Sequence, residues 1–167
     1  MNPPRPTDAV DQILAQWQEH RPDLDTRAMG PLGRLKRVAA LLDRELRTTF
    51  SSFDLSPWEF DVLATLRRSG PPYRLAPTAL FSALMVSSGT MTHRLHGLEH
   101  RGWVKRSPNP DDARSLMVEL SPLGLERIDA ALAAHVANLE RLLAPLPAAE
   151  RDALDHALSL LLNRLEA

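Results

Sequence analysis

A run of short polar side chains stands at the start of one predicted helix, and these residue types contact phosphates and base edges. Serine and threonine hydroxyls, together with the free N–H groups of a helix start, bind phosphate well. A single serine in such a place is only a helix cap, so the interpretation depends on the whole run. The run comprises Ser87, Ser88, Thr90, Thr92, His93 and His96.

A second candidate element is the turn at residues 107–114, which is rich in proline, asparagine and aspartate and ends in an arginine. If the turn joins two strands, Arg114 lies near the tip of a hairpin, where an arginine reaches a minor groove. Asp112, two residues earlier, would orient its guanidinium. We therefore expect the helix and the hairpin to contact DNA together.

The distribution of charge favours the same interpretation. The chain has a net charge of −1, yet residues 67–114 hold eight lysines and arginines against three acidic residues, a net charge of +5. A basic segment in an otherwise acidic chain is typical of a phosphate-binding face. Charge alone does not distinguish such a face from chance clustering on a solvated surface.

The order of elements around these residues predicts a winged helix-turn-helix, a mainly α fold with a small β-hairpin. Ser56, Pro57 and Glu59 form a helix start with a capping box, and Gly102 is a helix stop. The second helix of such a pair enters the major groove. Helices are predicted at 8–19, from 27 or 31 to 50, and at 57–68, 77–84, 87–101, 122–143 and 148–165, and strands at 73–75, 103–106 and 116–120.

Leucine-rich helices flank this module at both ends of the chain. Apolar faces at the two termini predict a homodimer, which would read a pseudo-palindromic operator; the alternative is a helical cap folding back on its own chain. We expect three parts: 1–50 for N-terminal helices contributing to dimerisation and a ligand pocket, 51–120 for the DNA-binding domain, and 121–167 for the C-terminal dimerisation helices.

Composition excludes several classes of protein. The 167 residues include no cysteine, which excludes disulfides, thiolate metal sites and a cysteine nucleophile. No apolar run is long enough to span a bilayer and no signal peptide is recognisable, so we expect a cytoplasmic protein that does not bind membranes. No zinc-protease, phosphate-loop or hydrolase motif is present, and we predict neither an enzyme nor a cofactor.

Two other interpretations remain open. His93, His96 and His100 lie on one helix at spacings that could present imidazoles to zinc, although three ligands on one helix do not easily surround a metal ion. Such a protein would be a zinc-responsive DNA-binding regulator, and a regulator without any ligand is a related possibility. The second interpretation is a helical interaction protein that does not bind DNA, which the basic segment disfavours.

Five segments resemble the MarR (multiple antibiotic resistance regulator) family. The resemblance implies a winged helix-turn-helix regulator and places the Asp-x-Arg wing motif at Asp112 and Arg114. Two departures are Ala113, where the family commonly has arginine, and Ser121, where it has threonine. The segments are Leu55–Leu63, Val86–Leu95, Leu98–Val104, Asp112–Arg114 and Leu120–Gly124.

The chain is also similar to the urate-responsive branch of that family, which has an extra N-terminal helix, here residues 8–19. This resemblance implies a repressor that a small anionic aromatic ligand such as urate releases from DNA, bound by Trp17, Asp61, Arg94 and Arg106. An aromatic face, guanidinium groups and an orienting carboxylate suit a planar anion. The alternatives are a core tryptophan, a structural Asp61–Arg94 ion pair, and an Arg106 that contacts phosphate.

Overall fold

The computed structural model describes residues 6–84, 88–109 and 112–167, and within these it describes no side chains for 88–93 and 112–114. Its contacts divide the chain into an N-terminal unit, up to Arg47, and a second unit from Thr48 to the end. Seven helices and three strands run through the described residues. They are α1 (Ala9–His20), α2 (Met29–Ser51), α3 (Pro57–Arg68), β1 (Arg74–Leu75), α4 (Pro77–Leu84), α5 (Ser88–His100), β2 (Val104–Asn109), β3 (Asp112–Leu120), α6 (Pro122–Leu143) and α7 (Ala148–Glu166).

In the N-terminal unit, an ion-pair cluster joins α1 to the first turns of α2. Arg34 of α2 donates from Nε to Asp8 at 2.7 Å and from Nη2 to Asp11 at 2.5 Å. Asp8 also caps α1, because its carboxylate accepts from the backbone N–H groups of Val10 and Asp11. The Arg34 guanidinium lowers the pKa of Asp8. A helix is therefore present over almost all of the predicted 8–19 segment.

The second unit forms around α3, α4, α5 and α6. Its most deeply buried side chains come from all four helices, as the predicted apolar spacing requires. The capping box of α3 is present: the backbone N–H and the hydroxyl of Ser56 both donate to Glu59 Oε2, at 2.8 and 2.7 Å. The largest fully buried side chains are those of Val62, Leu63, Leu66, Leu80, Leu98 and Ile128.

The small sheet is antiparallel with strand order β1-β3-β2. The predicted turn at 107–114 was wrong in extent, because β2 continues to Asn109 and β3 begins at Asp112. Pro108 is tolerated there because β2 is an edge strand, where a missing N–H costs no ladder bond, and the register shifts between Pro108 and Asn109. The predicted winged helix-turn-helix fold is otherwise confirmed.

Candidate nucleic-acid interface

Helix α5 is held by one face, which leaves another face of its C-terminal half exposed. Leu95 and Leu98 are buried, whereas His96, Gly97 and His100 are exposed. Ser88, Thr90, Thr92 and His93 lie on the backbone of this helix, and Ser87 lies outside the described residues. An exposed face on a helix anchored in this way is what insertion into a major groove requires.

The hairpin of β2 and β3 forms the wing beside α5. Asn109 faces Asp112 across the hairpin, and the Asn109 side-chain amide donates to Ser115 Oγ at 2.8 Å. Asp112 and Arg114 therefore occupy the first residues of β3, close to the tip, although their side chains lie outside the described part of the structure. The backbone positions agree with the predicted location of the wing motif.

Among the described side chains of the 67–114 segment, four basic residues are paired with acids. Arg67 pairs with Asp129 at 2.6 Å, and Lys105 pairs with Glu119 at 3.0 Å. Arg101 and Arg106 pair with carboxylates that are described below. The Lys105 ammonium lowers the pKa of Glu119, as expected for a carboxylate beside a cation. The local excess of positive charge is therefore smaller than the sequence count indicates.

Arg101, at the C-terminal end of α5, joins three separate parts of the second unit. Its Nη1 donates to Glu59 Oε1 at 3.1 Å, and its Nη2 donates to the Asp54 carbonyl oxygen at 2.9 Å and also to the Asp54 carboxylate. The guanidinium lies 3.7 Å from the centre of the Trp103 ring. Arg127 of α6 lies 5.1 Å from the same ring centre. We call this group, Asp54, Glu59, Arg101, Trp103 and Arg127, the anchor cluster.

The anchor cluster was not predicted from the sequence. Glu59 was assigned only to the capping box and Arg101 only to the basic segment. Arg127 also donates to the carbonyl oxygen of Phe53 at 2.6 Å, so the loop between α2 and α3 is held from both α5 and α6. The sequence shows a glutamate at the start of α3 and an arginine after α5, but no local pattern indicates that the two form a pair. Only the fold brings them together.

A second cluster joins α5 to the wing. Arg106 Nε lies 3.3 Å from Glu99 Oε2, and Arg106 Nη2 lies 3.4 Å from His96 Nε2. His96 Nδ1 lies 3.7 Å from the same Glu99 oxygen. We call His96, Glu99 and Arg106 the helix–wing cluster. Arg106 also lines a cavity of about 110 Å³ whose other walls are Pro77, Phe81, Leu95, Leu116, Met117 and Val118.

Of the residues predicted to bind a ligand, Asp61 and Arg94 have distinct surroundings. The protein around the exposed Asp61 carboxylate removes part of its hydration and raises its pKa, while the charge of His135 opposes that rise. Arg94 lies 5.2 Å from the centre of the Trp58 ring. No ion pair joins Asp61 to Arg94 among the described side chains, so the structural ion pair considered as an alternative is absent there.

The remaining predicted ligand residue, Trp17, belongs to the N-terminal unit. Its side chain is 41% exposed in the single chain. Asp61, Arg94 and Arg106 belong to the second unit.

The described residues show neither a metal site nor a membrane-spanning helix. Within them, no three histidine, aspartate or glutamate side chains gather as a metal site, and His93 lies outside the described side chains. His96 contacts Glu99 and Arg106 instead. No helix in the described part of the chain combines the length and apolar character needed to cross a membrane.

Comparison with known proteins agrees with this geometry. The MarR family model matches residues 55–116, from the end of the α2–α3 loop into β3. The chain is 42% identical to the HTH-type transcriptional regulator PecS of Dickeya dadantii over 85% of this chain and 86% of that protein. It is 29% identical to the HTH-type transcriptional repressor YetL of Bacillus subtilis over 77% of this chain and 76% of YetL.

A solved structure adds a nucleic-acid complex. The fold is similar to that of a MarR point mutant from Escherichia coli in complex with operator DNA, with a TM-score of 0.69 and 29% identity. The similarity covers 82% of this chain and 97% of the MarR chain.

Proposed function

The chain belongs to the MarR family of DNA-binding transcriptional regulators, and we propose that it acts as a homodimeric repressor that a small anionic aromatic ligand such as urate releases from a pseudo-palindromic operator. As a member of this family it is a regulator and not an enzyme. The observation that supports this proposal is the exposed face of α5 beside the wing, in a fold similar to that of a MarR mutant solved with operator DNA.

We propose that Ser87, Ser88, Thr90, Thr92, His93 and His96 contact the major groove and that Arg114, oriented by Asp112, contacts the minor groove. Replacing Arg114 with alanine is expected to weaken operator binding by about 1–3 kcal/mol and to make the salt dependence less steep by about one counterion. A mobility shift on DNA from upstream of the protein's own gene measures both.

Arg27→Ala is the matched control for Arg114. Arg27 lies outside the winged helix and pairs with the neighbouring Asp25 at 2.6 Å, so its loss should leave operator affinity unchanged. Equal affinities of wild type and Arg114→Ala would contradict the wing assignment.

The homodimer is supported by apolar side chains that the single chain leaves exposed. Helix α7 has no buried residue, although five leucines lie along it with exposures from 39% to 76%. A monomer rarely leaves so much apolar surface to water. Leu162→Glu is expected to shift the sedimentation coefficient of the protein toward that of a monomer. The control Leu116→Glu, on the wing, should leave the sedimentation coefficient unchanged. A monomeric wild type would contradict the proposal. The five leucines are Leu154, Leu158, Leu160, Leu162 and Leu165.

The repressor role is supported by YetL, which is named a repressor. A reporter fused to the operator should rise when the gene for this protein is deleted, and a fall would contradict repression.

The ligand proposal keeps Trp17, Asp61, Arg94 and Arg106 as the residues that recognise the anion. Arg106 lies at an apolar cavity, and exposed guanidinium groups near apolar walls suit an aromatic anion. Urate is expected to release the operator from the wild type, and Arg94→Ala or Asp61→Ala should blunt the response. A panel of purines and aromatic acids without effect would remove the ligand and leave DNA binding intact.

A further inference from the structure

The Arg106 guanidinium already pairs with a carboxylate of the same chain. Glu99 Oε2 lies 3.3 Å from Arg106 Nε, and the exposed fractions of the two side chains are 37% and 33%. Glu99 lies on α5 and Arg106 on β2, so this pair connects the helix and the wing that we propose contact DNA.

We propose that Glu99 is the residue that couples anion binding at Arg106 to DNA binding: its carboxylate holds the guanidinium in the DNA-binding state, and an incoming anion must displace it. The effector part of this inference rests on the proposed function. The operator part rests only on DNA binding by the family.

The chemistry of the contact supports an exchange. The Nε edge of a guanidinium donates to one carboxylate at a time, and a planar anion with the same oxygen geometry competes for that edge. A partly exposed ion pair contributes little free energy, so displacing it is easy. His96 adds a third contact, because its ring nitrogens lie 3.7 Å from Glu99 and 3.4 Å from Arg106. Displacement of Glu99 therefore disturbs a side chain on the exposed face of α5.

The sign of one substitution separates this coupling from simple electrostatics. Glu99→Gln removes a negative charge from the DNA-reading helix, and charge alone would tighten operator binding. The proposed coupling predicts the reverse, because the helix–wing contact is lost. We expect operator binding by the full-length variant to weaken about two- to five-fold, the range for a partly exposed pair. We expect urate to bind the variant more tightly by a similar factor, because its competitor is gone.

The matched control is Glu140→Gln, which removes a comparable pair, Glu140 with Arg151 at 3.4 Å, between α6 and α7. This control should bind operator and urate as wild type does. Arg106→Gln and the Glu99→Gln/Arg106→Gln double variant complete a cycle, and the double variant should bind operator no more weakly than the weaker single variant. Thermal unfolding verifies that each variant is folded.

The experiment distinguishes failure of the Glu99 coupling from failure of the proposed ligand. Unchanged or tighter operator binding by Glu99→Gln, or additive effects in the cycle, overturns the inference. If urate binds the wild type but binds Glu99→Gln no more tightly, the inference is also overturned while the proposed function stands. If urate binds neither protein, the proposed ligand fails, and weaker, non-additive operator binding still supports the role of Glu99.

Discussion

Arg101 and Arg106 lie five residues apart in the same basic segment, but their surroundings differ. The side chain of Glu59, which pairs with Arg101, is 9% exposed, and Trp103 beneath the guanidinium is buried. The partners of Arg106 are at the surface, since the His96 side chain is 62% exposed. The anchor cluster thus ties the end of α5 to the scaffold, while the helix–wing cluster is a contact that solvent and other anions can reach.

This difference shows how one residue type serves two purposes in one domain. A charge pair with a buried member is costly to break because the remaining charge loses both water and partner. An exposed pair has water as a ready substitute, and its net contribution is close to zero. A regulator that binds DNA and responds to a ligand needs both kinds of contact. The anchor cluster holds α5 in place, and the helix–wing cluster beside it can exchange its ion pair.

The largest effect is expected where α6 begins against the anchor cluster. A Cβ on Gly124 would lie 1.9 Å from the backbone oxygen of Trp103, so Gly124→Ala must displace α6 or the start of β2. We expect a loss of about 3 kcal/mol or more in the free energy of unfolding, measured with urea. Gly97→Ala is the control, because its Cβ meets nothing within 4 Å and the change should stabilise α5 by up to about 1 kcal/mol. Equal stability of Gly124→Ala and wild type would contradict the rigid contact.

The next effect compares the two arginines directly. Arg101→Ala removes hydrogen bonds to Asp54 and Glu59 and leaves a nearly buried carboxylate without its cation. We expect the free energy of unfolding to fall by about 2–3 kcal/mol. Arg106→Ala should lower it by less than about 1 kcal/mol. Equal losses in urea denaturation would mean that the two clusters do not differ as their burial indicates.

Local signals were sufficient to predict most of the fold. Ser56, Pro57 and Glu59 predict a helix start because each acts within one turn. Gly102 predicts a helix stop because glycine readily adopts a positive φ, and in the structure its φ is +70°. The wing was predicted too short because proline and asparagine favour turns locally, whereas β2 is an edge strand in which Pro108 is tolerated.

The contacts of the site were less accessible from the sequence. Arg101 reaches Glu59 and Asp54 across 42 and 47 residues, and no local pattern encodes such a pairing. The charge count over 67–114 had the same weakness, because Glu59, Glu119 and Asp129 neutralise that segment from outside it. Residue types predicted which side chains were cations, but their partners follow from tertiary structure.

The smallest expected effect is on the pH dependence of the unfolding free energy. It tests whether His135, at the contact between α3 and α6, is shielded from water. His135 of α6 packs against Phe50 and Phe60, with ring centres 5.3 and 5.0 Å away, and its Nδ1 is buried without a partner among the described residues. Burial lowers the pKa of His135, and the nearby Asp61 carboxylate limits that shift. The folded protein therefore favours the neutral imidazole.

A lowered pKa in the folded state means that stability is present above about pH 6.5, the pKa of an unfolded histidine, and is lost as pH falls toward the folded value. The raised pKa of Asp61 has the opposite sign and acts at lower pH, because a folded state that favours the protonated carboxyl gains stability on acidification. The difference in unfolding free energy between wild type and His135→Gln should therefore shrink from pH 7.5 to 5.5. Asp61→Asn should steepen the loss, since His135 then lacks its carboxylate; a constant difference for His135→Gln would show that the imidazole between Phe50 and Phe60 is as hydrated as an unfolded one.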